Sequence, residues 1–210
     1  SGSTVYSWNF GTGATPATAT GAGPHNVTYT GSGLRTVSLT ITEGSFNTET
    51  KANYITVNPL PTATIIGTTA VCRGAATPIV TFTGASGAPP YTFTYNINGG
   101  TNQTVTTTSG SSVTVAAPTG TAGIFTYNLI SVRDASSTAC LQLQSGSAIV
   151  TVNPLPTATI IGTTAVCKDA SAPNITFTGA GGTIPYTFTY TINGGSNQTI
   201  TTSAGSSIAV

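Results

Sequence analysis

Residues 57–72 read VNPLPTATIIGTTAVC, and residues 152–167 read VNPLPTATIIGTTAVC again. The identity runs on. Aligned without a gap at a spacing of 95, residues 57–115 and 152–210 agree at 43 of 59 positions, and Val80/Ile175, Val105/Ile200 and Val113/Ile208 differ conservatively. Self-similarity at a fixed spacing marks a duplicated structural module. Inside it the apolar residues alternate with period two, the signature of strands with one buried face. Tyr91, Phe93, Tyr95 and Ile97 fall on one side, and Thr92, Thr94 and Asn96 on the other. Val80 with Phe82, Val113 with Val115, and Phe125 with Tyr127 and Leu129 repeat the pattern. Asn98-Gly99-Gly100 supplies residues that accept the positive φ angles of a tight hairpin, and Ser145-Gly146-Ser147 marks a second turn. About seven short strands with no helical period predict a two-sheet sandwich.

Composition agrees. Only 4% of the 210 residues are charged, against roughly 25% in ordinary soluble domains. Threonine, about a fifth of the chain, supplies the missing polarity, and its branched Cβ suits a half-buried pleated surface. Regularly spaced aromatic and branched apolar residues argue against disorder. A net charge of +1 offers no basic stripe for phosphates, and no apolar run is long enough to span a bilayer. Nucleic-acid binding and membrane insertion by this segment are therefore not expected.

Ahead of the repeats lies a different pattern: Tyr6-Ser7-Trp8-Asn9-Phe10-Gly11-Thr12-Gly13, then His25-Asn26-Val27-Thr28-Tyr29, then Thr36–Thr42 (TVSLTIT) and Tyr54-Ile55-Thr56-Val57. It resembles the polycystic kidney disease (PKD) domain, an immunoglobulin-like sandwich, in its WDFGDG-type and Y-T-V-x-L-T-V strands. Asn9 and Thr12 stand where that family often has aspartates, so carboxylate-based ion binding in this loop is not expected. The 95-residue modules, through PTATIIGTTAVC, ITFTGA, PYTFTYTINGG and VTVNPLP, resemble repeats of giant surface adhesins of gliding Bacteroidetes-type bacteria, exported by type IX secretion. The resemblance implies an all-β chain of tandem immunoglobulin-like sandwich modules in a rod, secreted to the cell surface. Three modules are expected: a PKD-like sandwich at 1–58 short of its opening strands, a complete repeat at 59–153, and a second copy at 154–210 that stops at the counterpart of Val115. The parent is then expected to continue past Val210 with an F-x-Y-type strand and a further cysteine.

For a secreted module, Cys72 and Cys140 are expected to form a disulfide. Cys167 repeats Cys72, and its partner would lie beyond the chain end. No CxxC or Cys/His spacing points to a metal, and no cofactor is expected. His25 is the only histidine, with no carboxylate near it in sequence, and the four acids are scattered, so neither a triad nor a facing pair of carboxylates is legible. Glu49 and Lys51 read as a solvated pair on one strand face. Trp8 with Phe10 could offer sugars an aromatic platform, but residues two apart on a sandwich strand belong to a core more often. The sequence thus suggests a non-catalytic structural or adhesive stalk. Its expected partners are neighbouring modules of the chain and surface polysaccharide or protein. The alternative is a carbohydrate-binding accessory region of a polysaccharide-degrading enzyme.

Overall fold

The computed structural model describes residues 3–210, and every regular element in them is a β-strand. Of the three modules expected from the sequence, the first contains β1 (Val5–Asn9), β2 (Ala14–Thr15), β3 (Thr18–Thr20), β4 (Thr28–Tyr29), β5 (Gly33–Glu43) and β6 (Ser45–Val57). The second contains β7 (Thr62–Ile66), β8 (Thr69–Cys72), β9 (Ile79–Ala85), β10 (Thr92–Ile97), β11 (Gln103–Thr106), β12 (Ser112–Ala116), β13 (Gly123–Arg133), β14 (Leu141–Leu143) and β15 (Ser147–Asn153). The third contains β16 (Thr157–Ile161), β17 (Thr176–Ala180), β18 (Thr187–Tyr190), β19 (Gln198–Thr201) and β20 (Ser207–Ala209). The fold is all-β, with sheets arranged as tandem sandwich modules.

The second module holds more strands than its period-two runs suggest. Its larger sheet runs β11-β10-β13-β15-β8 with β14 added on β13, and its smaller sheet runs β12-β9-β7. The opening run divides at Gly67 (φ +129), where a Cβ would meet the Ile79 carbonyl oxygen at 2.6 Å, so β7 joins one sheet and β8 the other. Strand β14 is three residues long, too short for alternation to reveal.

The chain clusters into two compact units. One comprises residues up to Ile66 with Thr81–Thr114 and Asn128–Ser147. Here the first module's sheet runs β3-β1-β5-β6, with Phe10 and Val37 buried. The hairpin between β5 and β6 turns at Gly44, leaving the first ten residues of β6 exposed. In the same unit Phe82 lies 5.7 Å from Phe93 and 5.0 Å from Tyr95, centroid to centroid, and all three rings are buried. Each such burial contributes roughly 1.5–3 kcal/mol. The turn from β10 to β11 has φ of +53° at Asn98 and +73° at Gly99, as its Asn-Gly pair predicts.

The other unit comprises Gly67–Val80, Val115–Tyr127 and Ala148–Val210. Strand β15 runs parallel to β8, Val150 to Asn153 facing Thr69 to Cys72. Val80, Ala117, Tyr127, Ala148, Val150 and Val152 are buried here. The third module has a sheet β16-β17-β20 and a pair β18-β19, with Phe177 and Phe188 stacked at 5.6 Å.

Candidate functional site

The most constrained side chains surround a tyrosine that both repeats share. Gly84 lies in β9, and a Cβ there would meet the Tyr91 ring at 2.6 Å, so glycine lets the ring lie on the strand backbone. Tyr91 OH donates to the Gly87 carbonyl at 2.7 Å. Its backbone N–H donates to Thr107 Oγ1 at 2.9 Å, and Thr107 N–H donates back to the Tyr91 carbonyl at 2.9 Å. The third module repeats this with Gly179, Tyr186, Gly182 and Thr202: Tyr186 OH donates to Gly182 at 2.8 Å, and both backbone distances are 2.9 Å. These groups are all satisfied, and they lock the chain rather than await a ligand.

Asp134 is the one buried carboxylate among the described residues. Burial opposes its ionisation, but hydrogen bonds from the Ser136 hydroxyl (2.8 Å), Ala88 N–H (3.2 Å) and Ser136 N–H (3.3 Å) prevail and hold its carboxyl below the usual range. A Cβ at Gly87 would meet its Oδ2 at 2.7 Å. The carboxylate therefore ties the loop after β13 to the loop after β9, with no open face for substrate. Sequence reading passed over it, although an aspartate ending a strand before Ala-Ser-Ser is a recognisable turn signal.

The remaining candidates are scattered. Glu49 and Lys51 pair at 2.7 Å in full solvent, Lys51 lowering the Glu49 carboxyl and Glu49 raising the Lys51 amine. Trp8 is half-buried, stacked on Phe10 at 6.0 Å with His25 edge-on at 5.6 Å, and its indole N–H donates to the Gly21 carbonyl at 3.0 Å. Ring and polar tip are both engaged, as in a core aromatic. His25 Nε2 also lies 3.3 Å from the Gly21 carbonyl. Among the described residues, no three of His, Cys, Asp and Glu gather as metal ligands would.

All three cysteines are free thiols, so the expected Cys72–Cys140 bond is not present. Their neighbours differ. Cys72 ends β8 in register with Asn153, whereas Cys140 follows β13, its carbonyl accepting from Asp134 N–H and its sulfur 3.1 Å from Thr138 Oγ1. Cys167 is exposed. A groove of about 470 Å³ at the start of the third module is lined by Cys72, Asn153, Pro156, Gly182, Tyr186 and Phe188. It presents one thiol with no carboxylate, imidazole or amine in its lining to activate it.

What the geometry defines is a class: tandem β-sandwich modules whose repeated polar contacts are internal. No protein-family model matches the chain, and no curated protein does. Among solved structures, it is similar to a chain from a study of host cell surface retention of a 1.5-MDa bacterial ice-binding adhesin. The two share 16% identity at a TM-score of 0.44, over 98% of this chain and 74% of that one.

Proposed function

We propose that the chain is part of the non-catalytic structural or adhesive stalk of a long, secreted bacterial cell-surface protein. The observation that carries this reading is the repetition itself: both copies devote the same side chains to the same internal contacts. Thr83 meets Ser112 and Thr178 meets Ser207, each at 2.9 Å. Thr92 meets Thr106 at 3.0 Å and Thr187 meets Thr201 at 2.9 Å. Stacking copies of one unit, each in contact only with its neighbours, builds an extended structure.

The module's ends suit traction. Strand β8 lies near its start and β15 ends it, and the two run parallel, so pulling the ends apart slides one strand along the other and loads four register positions together. The connector is restrained as well: Asn58 Nδ2 donates to Thr138 Oγ1 at 2.9 Å and Ser137 Oγ at 3.3 Å, and Pro59 and Pro61 limit its backbone. Extending the proposal, the sequence resemblance to PKD-like domains and to adhesin repeats of gliding bacteria supports reading the parent as a type IX secretion substrate.

A carbohydrate-binding role would use Trp8, the only tryptophan. Titrating soluble polysaccharides against the chain's tryptophan emission tests the stalk reading. We expect an unchanged spectrum, and a saturable shift abolished by Trp8→Ala would transfer the function to sugar binding.

A further inference from the structure

Asn-Gly occurs twice in the chain, at Asn98-Gly99 and Asn193-Gly194, and both pairs lie in the same hairpin turn of the repeat, within an identical Ile-Asn-Gly-Gly run. Their backbones match: φ at Asn and Gly is +53° and +73° in the second module, and +49° and +71° in the third. Both turns are closed alike, Gly100 N–H donating to the Ile97 carbonyl at 3.0 Å and Gly195 N–H to the Ile192 carbonyl at 2.9 Å. Both are exposed, so solvent reaches the two pairs equally.

One position separates them. Asn96 in the second module is Thr191 in the third. Asn96 Oδ1 accepts the Gly99 N–H at 3.1 Å, and the Asn128 amide, donating to the same oxygen at 3.0 Å, fixes its orientation. Threonine has no amide oxygen to offer, and among the described residues the Gly194 N–H has no such acceptor.

That N–H decides the chemistry of an Asn-Gly pair. Once the glycine nitrogen has given its proton to hydroxide, it attacks the asparagine Cγ. The new N–Cγ bond displaces Nδ2, which takes up a proton from water and leaves as ammonia, and a cyclic imide remains. Water then opens the imide at one of its two carbonyls, giving aspartate or isoaspartate. Glycine permits the attack because no Cβ obstructs it. A hydrogen bond from the same N–H opposes it, since the proton must be taken from a group already held by an acceptor.

We propose that the Asn-Gly turn of the repeat is a site of spontaneous deamidation, open at Asn193 and closed at Asn98 by the side chain of Asn96. Each event adds a carboxylate to a chain that has four acidic residues, and the isoaspartate product lengthens the main chain within a tight turn. Asn96 acts here as a protecting residue, through the nucleophile and not through Asn98 itself.

The test incubates the full 210-residue chain at mildly alkaline pH and follows, by mass spectrometry, the conversion of amide to acid in peptides carrying residue 98 or 193. Asn193 is expected to react about fivefold faster than Asn98, the factor that one hydrogen bond of ordinary net strength represents. Asn96→Thr is expected to raise the Asn98 rate by the same factor, whereas Asn96→Asp, which keeps an acceptor oxygen, is expected to leave it slow. Gly84→Ala loosens the second module away from the turn and is also expected to leave Asn98 slow. Equal rates at the two sites in the folded chain, or no acceleration by Asn96→Thr, would overturn the proposal. So would equal acceleration by Asn96→Asp or by Gly84→Ala, because any loosening of the module would then suffice.

Discussion

At the level of single residues, the fold rests on contacts that admit one side chain. Gly84 is such a position, because Tyr91 occupies the space a Cβ needs. Gly84→Ala forces the ring off its hydrogen bond to Gly87, and overpacking of this kind costs about 1–3 kcal/mol. A urea midpoint lowered with an unchanged slope is the expected result, and an unaltered midpoint would remove Tyr91 from its stabilising role. Asp134 makes a second case. Removing a buried hydrogen-bonded charge leaves Ala88 and Ser136 N–H without their acceptor, so Asp134→Ala should destabilise by about 1.5–3 kcal/mol. Its folded carboxyl titrates below the reference value of 3.8, so its stabilisation is complete above that value and is lost as pH falls through the folded one. Denaturation followed from pH 7 to pH 2 should therefore show an acid loss in the wild type that flattens in Asp134→Asn. An identical acid limb in both would contradict this. The cysteines add a third expectation: three thiols per chain should react with a thiol reagent in denaturant without reductant. A single reactive thiol would contradict this, and peptide mapping would then show whether the bonded pair is Cys72–Cys140.

Elements were legible where alternation was long and turns were specific. The run from Tyr91 to Ile97 and its Asn-Gly turn appear as β10 and its hairpin, with Tyr91, Phe93 and Tyr95 buried as the period requires. Strand β8 was not separable from β7 in sequence, since the break between them is a change of sheet at Gly67 and not a change of pattern. These four residues are a strand through their pairing with β15, and pairing across a distance of about 80 residues is invisible to local reading. Asp134 escaped for a related reason. Its donor Ala88 lies 46 positions away, and only the folded loops reveal the contact.

For the whole chain, repetition is the most informative single property, because it decides fold class and disfavours a dedicated reactive centre together. In the sequence the acid–base groups are few and scattered, and in the structure the three cysteines are free thiols. Whether the proposed stalk carries tension through the β8–β15 pair is tested most directly by pulling the chain by its two ends in single-molecule force spectroscopy. A discrete rupture of the second module is expected, releasing roughly 95 residues at up to ~3.6 Å each, a contour length of at most about 34 nm. Smooth extension without a peak of that length would contradict it.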